Sequence, residues 1–185
     1  GFCMKLRHMS NLTCLNISSS VAPNFSTACL PPSLRQLEIR IVGDSGSDAS
    51  GSLIPHLASA AAAVTALDSL SVVVSEPQLW EGLQVDLSSL RQPWAAHLTQ
   101  LRLSLPAKNV DVGPLAALTD LQVLEIQLED AVGAGQAADS TWQHPLDGLS
   151  QLRKLRLGGF VCGLKLGSLF PLPLSRFPQL EVGAI

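Results

Sequence analysis

The chain has 185 residues, of which 46% are apolar but only 4% aromatic, with no Tyr, and 15% charged against a usual share of about 25%. That length can bury one substantial core, and the apolar content excludes wholesale disorder. A formal charge of −3, with no block of Lys or Arg anywhere, speaks against nucleic acid or an anionic membrane surface as a partner.

In chain order, one short phrase recurs: an apolar residue, two variable residues, Leu, one variable residue, then a second aliphatic. It opens as Leu12-Thr-Cys-Leu15-Asn-Ile17, predicting a strand near 14–18, and returns as Leu34-Arg-Gln-Leu37-Glu-Ile39, with a strand near 36–41. Leu-x-aliphatic alternates at period 2, so both aliphatics share one side of a short strand and the residue between them faces the other. Residues 43–52, GDSGSDASGS, read as a mobile loop, and 53–66, LIPHLASAAAAVTA, as a helix. The third copy, Leu67-Asp-Ser-Leu70-Ser-Val72, predicts a strand near 69–74. Beyond it a helix is expected near 88–97, with a short extra strand near 83–87 left open. Leu98-Thr-Gln-Leu101-Arg-Leu103 and Leu121-Gln-Val-Leu124-Glu-Ile126 follow, giving strands near 100–105 and 123–128. Single helical turns near a Pro suit 112–118 and 145–150, and 130–143 reads as a second flexible loop. Leu152-Arg-Lys-Leu155-Arg-Leu157 and Phe177-Pro-Gln-Leu180-Glu-Val182 close the series, with strands near 154–158 and 179–183 and an irregular Gly- and Pro-rich run between them.

In all seven copies the three framed positions hold Leu, Ile, Val or Phe. Six residues before the strand Leu runs another apolar column, Met9, Val64, Ala95, Leu118, Leu149 and Leu174, broken only by Pro31. One such unit cannot bury its own apolar face, whereas stacked neighbours share a continuous core. Successive strands should then be parallel, with right-handed crossovers.

These phrases resemble the leucine-rich repeat family through the LxxLxL part of its LxxLxLxxN pattern. The resemblance implies an α/β solenoid filling 1–185 as one domain of about seven irregular repeats. Its parallel β-sheet would curve on the concave side, with short helices and loops on the convex side. The pattern's Asn, which in family members ties adjacent turns through backbone hydrogen bonds, is missing. The corresponding positions are Ser20, Val42, Ser75, Pro106, Glu129, Phe160 and Ile185. Strand Leu residues are also unevenly spaced, so the solenoid should be irregular. Neither end carries the polar cap that such stacks need, so the chain is expected to belong to a longer one with further repeats.

Catalytic chemistry has little support. Gly43-Asp44-Ser45-Gly46 resembles the nucleophile motif of chymotrypsin-like proteases, and Trp94-Ala-Ala-His97 echoes their histidine motif, but the order is reversed and a Ser/Gly/Asp loop explains the residues. Gly133-Ala-Gly135-Gln-Ala-Ala138 fits GxGxxA without an acidic residue at the required later strand. His8, His56, His97 and His144 are isolated from one another, and Cys3, Cys14, Cys29 and Cys162 form no CxxC pair. No catalytic residue, metal site or cofactor is therefore expected, and the cysteines read as free thiols. The longest uncharged stretch, 49–67, contains Gly51, Pro55 and His56 and reads as a helix with its preceding loop, so no membrane segment is expected.

Binding is the expected role. The outward strand positions form three columns, polar and of mixed sign, and the candidate contact residues are Glu38, Arg40, Arg102, Glu125, Lys154, Arg156 and Glu181. The first reading is an intracellular scaffold for a protein or peptide partner on the concave face. Such a scaffold could be a cytoplasmic, cytoskeletal or axonemal adaptor, or the substrate-selecting part of a ligase. The alternative is the ectodomain of a secreted or cell-surface receptor, motivated by the glycosylation sequons at Asn11, Asn16 and Asn24. A hydrolase ranks third.

Overall fold

The aliphatic pairs of the recurring phrase line up side by side across one sheet in the computed structural model, which describes residues 6, 8–19, 30–42, 64, 66–74, 87–106, 112–129, 146, 148–158 and 181–184. Seven strands, β1 (Cys14–Ser19), β2 (Gln36–Ile41), β3 (Ser69–Val74), β4 (Gln100–Pro106), β5 (Val123–Glu129), β6 (Lys154–Gly158) and β7 (Glu181–Ala184), pair in sequence order. Every pairing is parallel. The sheet is open, and among the described residues its connections carry only short helical turns. The loops expected at 43–52 and 130–143, most of the helix at 53–66 and the extra strand near 83–87 lie outside the described residues.

Register follows the repeat through β6. Leu15, Leu37, Leu70, Leu101, Leu124 and Leu155 are successive partners, as are Ile17, Ile39, Val72, Leu103, Ile126 and Leu157. The seventh strand departs from the spacing. Leu155 pairs with Val182 and Arg156 with Gly183, so β7 begins two residues later than the phrase around Leu180 suggests. A slip of two keeps the same side chains on the same face, whereas a slip of one would invert them.

Beneath the sheet lies a core of the framed residues and the turns behind them. Leu34, Leu67, Leu98, Leu121 and Leu152, three residues before each strand Leu, are buried alongside the strand aliphatics. Each buried Leu or Ile contributes about 1.5–3 kcal/mol relative to exposure. The first layer is thinner: Leu12, Leu15 and Ile17 are only partly buried against the core, and Met9 is 53% exposed. An outermost strand has a neighbour on one side only.

Behind the strands the apolar residues recur at intervals of three: Val112, Leu115, Leu118 and Leu121 in one unit, Leu146, Leu149 and Leu152 in the next, all buried. A 3₁₀ turn has three residues per turn, so such a series forms a straight ridge, which an α-helix at 3.6 would rotate off axis. The backbone bonds match. The N–H groups of Leu115, Leu118 and Leu121 donate to carbonyls three residues back, as do those of Leu149 and Leu152, at 3.0–3.2 Å. Gly113–Ala117 is accordingly a 3₁₀ helix.

The helix expected near 88–97 is in fact two 3₁₀ turns, Ser88–Arg91 and Pro93–Ala95. Between them Gln92 is extended, at φ −78° and ψ 154°. A residue preceding proline is driven from the helical region by contact with the proline ring, and Pro93 imposes that break. Adjacent turns touch closely: a Cβ on Gly148 would sit 2.2 Å from the carbonyl oxygen of Ala116, so only glycine fits there.

Just ahead of β2 to β6 the units are stitched chiefly by backbone. The carbonyl of Thr13 accepts the N–H groups of Arg35 and Gln36, and the carbonyl of Arg35 accepts those of Asp68 and Ser69. Asp68 likewise accepts from Thr99 and Gln100, Thr99 from Gln122 and Val123, and Gln122 from Arg153 and Lys154, the whole set spanning 2.8–3.1 Å. The Thr99 hydroxyl adds a third donor to the Asp68 carbonyl at 3.1 Å. This chain of doubly accepting carbonyls links successive units through main-chain atoms.

Candidate functional site

Alternation along each strand fixes what the outer face can present. With the aliphatics turned inward, the residues between them stand on the opposite side, and parallel pairing sets them in rows across the strands. The middle row runs Asn16, Glu38, Ser71, Arg102, Glu125, Arg156 and Gly183. One flanking row is Cys14, Gln36, Ser69, Gln100, Val123, Lys154 and Glu181. Glu181 was expected beside Arg156 and instead lies opposite Lys154, a consequence of the late start of β7. Arg40 stands two residues beyond Glu38 on β2. Six of the candidate residues, Glu38, Arg40, Arg102, Glu125, Lys154 and Arg156, thus share one sheet face, and Glu181 joins them by backbone register. Ser104, at an outward position of β4, is the exception, only 3% exposed.

The two carboxylates are the organising groups. Glu125 accepts a hydrogen bond from Nη1 of Arg156 at 3.2 Å through Oε1, while Nε of Arg102 stands 3.8 Å from its Oε2. Its side chain is 17% exposed, covered by two guanidinium groups that are themselves about half exposed. Glu38 accepts from Nη2 of Arg40 at 3.3 Å through Oε1 and from Nδ2 of Asn16 at 2.9 Å through Oε2. Of these four carboxylate oxygens, three accept hydrogen bonds and the fourth, Oε2 of Glu125, has the Arg102 guanidinium 3.8 Å away.

Between those two clusters β3 contributes Ser69 and Ser71, with Val73 beyond them opposite Arg40. Ser69 and Ser71 are flanked by Gln36 and Glu38 on one side and by Gln100 and Arg102 on the other. The short side chains leave a depression of about 260 Å³, lined by Glu38, Ser69, Ser71, Gln100, Arg102, Val123 and Glu125 together with backbone-adjacent Leu70 and Leu101. Hydroxyl, amide and guanidinium groups surround it, so it can bind polar side chains by hydrogen bonds. The serines were not among the candidate residues. Their signal was available: one small residue in each of two rows, with larger residues on the strands at either side.

Other motifs fall elsewhere. Ser45 and Gly133–Ala138 lie outside the described residues. His97 is 70% exposed on the turn side, its Nδ1 3.5 Å from Oδ2 of Asp120. Asn11 is exposed, Asn16 is exposed on β1, and Asn24 is outside the described residues. Cys14 is an exposed free thiol on β1. Among the described residues, no three His, Cys, Asp or Glu side chains gather where a metal could be held, and no helix is long and apolar enough to cross a membrane.

Comparison with protein-family models finds none that matches this chain, and a search of curated proteins likewise finds no match.

Proposed function

We propose that this chain is a leucine-rich-repeat-type solenoid that acts as a non-catalytic scaffold, binding a protein or peptide across its outer sheet face. The observation carrying this reading is the contrast between the two faces. One side of the parallel sheet is an aliphatic core, while the other is a polar, mixed-charge surface with a depression over β3. Stacked repeats present such wide surfaces readily, because each unit contributes one strand. The stitching by Thr13, Arg35, Asp68, Thr99 and Gln122 carbonyls supports the solenoid reading despite the missing Asn.

An intracellular adaptor fits the exposed free thiol of Cys14, since reducing compartments keep such thiols unpaired. A receptor ectodomain is favoured instead by the exposed sequons at Asn11 and Asn16. Mass spectrometry of the protein isolated from its own cells separates the two: glycan on either Asn supports the ectodomain.

The scaffold reading is tested by affinity capture with two variants of equal thermal stability. Ser71→Arg fills the depression, and Arg91→Glu alters an exposed charge on the turn side. Captured partners should be lost with Ser71→Arg alone. Identical partner sets for both variants and the unmodified chain would refute a role for the sheet face.

A further inference from the structure

Polar contacts on either side of β3 draw its long neighbours away from it. On β2, Glu38 accepts a hydrogen bond from Nδ2 of Asn16 on β1 at 2.9 Å, so its carboxylate leans toward β1. On β4, Nε of Arg102 stands 3.8 Å from Oε2 of Glu125 on β5, so that guanidinium leans the opposite way. Ser69 and Ser71 lie between them, and the depression of about 260 Å³ opens over these two short side chains. The surrounding face is electrically balanced. Among the described residues, backbone register places four cations on it, Arg40, Arg102, Lys154 and Arg156, and four anions, Glu38, Glu125, Glu129 and Glu181. The charges bordering the depression already face opposite charges: Glu38 is bonded to Arg40, and Arg102 stands beside Glu125. What the depression offers a ligand is the hydroxyls of Ser69 and Ser71 and the amide of Gln100, each able both to donate and to accept.

We infer that the gap over β3 seats an uncharged, extended polypeptide segment lying along that strand, with small side chains turned toward the two serines. This rests on the scaffold reading and names the chemistry of its partner. Groups that both donate and accept suit a peptide main chain, which carries one N–H donor and one C=O acceptor per residue. Spacing suits an extended one. Ser69 and Ser71 are two residues apart, roughly 6.6 Å along the strand, and an extended ligand brings alternate residues to one side at the same interval. The flanking strands β2 and β4 are roughly 9.6 Å apart at the usual strand spacing, which leaves room for one chain between their long side chains. A depression of about 260 Å³ is smaller than the roughly 300–1,000 Å³ of pockets that enclose a small molecule, so it suits the small side chains of a passing segment. Charged side chains gain little here, because they would lose hydration against charges that are already paired.

The test is fluorescence anisotropy with four labelled, end-blocked peptides of equal length: alternating Ser-Thr, all Glu, all Lys and all Gln. The Ser-Thr peptide is uncharged, small in its side chains and inclined to extend through its threonines. It should bind, with an affinity that salt leaves unchanged, and the other three should bind at least about tenfold more weakly. Ser71→Ala removes one hydroxyl and should weaken Ser-Thr binding roughly two- to tenfold, the loss of one neutral hydrogen bond. Ser71→Gln fills the gap with a long polar side chain and should weaken it at least as much. Ser150→Gln, the same change at an exposed position on the turn side, should leave binding unchanged. Thermal melts confirm that each variant is folded before its binding is read. Absent binding of the Ser-Thr peptide, equal or tighter binding of any of the other three, or equal losses for Ser71→Gln and Ser150→Gln would each overturn the inference. If Ser-Thr binding fails while Ser71→Arg still abolishes partner capture, the scaffold reading stands and this inference alone falls.

Discussion

Leu124 and Leu15 occupy the same position in their repeats, and comparing their truncation to Ala measures how far each layer is sealed by its neighbours. Leu124, on β5, is 0% exposed, with β4 on one side and β6 on the other. Leu15, on β1, is partly buried and flanked on one side only. Leu→Ala at a fully buried site costs about 2–5 kcal/mol, combining lost transfer energy with the cavity left behind. Leu15 keeps some contact with water in the folded state and can relax at the open edge, so its truncation should cost roughly 1–2 kcal/mol. For a domain of this size each kcal/mol lowers Tm by roughly 2–4 °C. Leu124→Ala should thus melt roughly 4–20 °C lower, and Leu15→Ala roughly 2–8 °C lower, by circular dichroism at 222 nm. Chemical denaturation should show the same order in midpoint at constant m. Equal shifts for the two, or a larger one for Leu15, would refute the idea that stability comes from burial between stacked units.

Three further outcomes follow from the packing. Gly148→Ala would drive a Cβ into the Ala116 carbonyl, and should cost about 1–3 kcal/mol in denaturant titration despite adding one methyl. Ser89→Ala should stabilise the fold by about 1 kcal/mol, since the Ser89 hydroxyl is buried without a hydrogen-bond partner; a loss of stability would reveal a bond it makes. Glu125→Ala should cost about 1 kcal/mol, because its carboxylate is mostly covered between two arginines, whereas Asp68→Ala, in a pair about half exposed on both sides, should fall within about 0.5 kcal/mol of the unmodified protein. Equal Tm values for those two variants would show that the Arg102–Glu125–Arg156 cluster adds no stability.

Much of this architecture was legible in the residues because the information lay in spacing. Period 2 at Leu37 and Ile39 or at Leu124 and Ile126 fixed the buried face, and repetition of the phrase fixed which residues become neighbours six strands deep. Two things were less accessible. Apolar residues at 112, 115, 118 and 121 carry a period of three, which distinguishes 3₁₀ turns from an α-helix, yet a run this short also looks like one helical turn. The register of β7 depends on where the chain turns after a Gly- and Pro-rich run, and local alternation cannot count residues in that run. At the candidate site, the charged residues were readable from the outward columns. Pairing of neighbouring opposite charges across strands was readable from the same columns; how far Arg102 and Arg156 cover Glu125, leaving its side chain 17% exposed, was not.

The interstrand stitch runs through Thr13, Arg35, Asp68, Thr99, Gln122 and Arg153, side chains that differ in size and in charge. The paired bonds of this linkage use main-chain atoms, the Thr99 hydroxyl being an addition at Asp68, so a residue that must both donate and accept can be any amino acid except proline. Copies of the unit can therefore diverge at these positions while remaining mechanically joined. A chain built this way keeps its strands joined whatever side chains those positions carry.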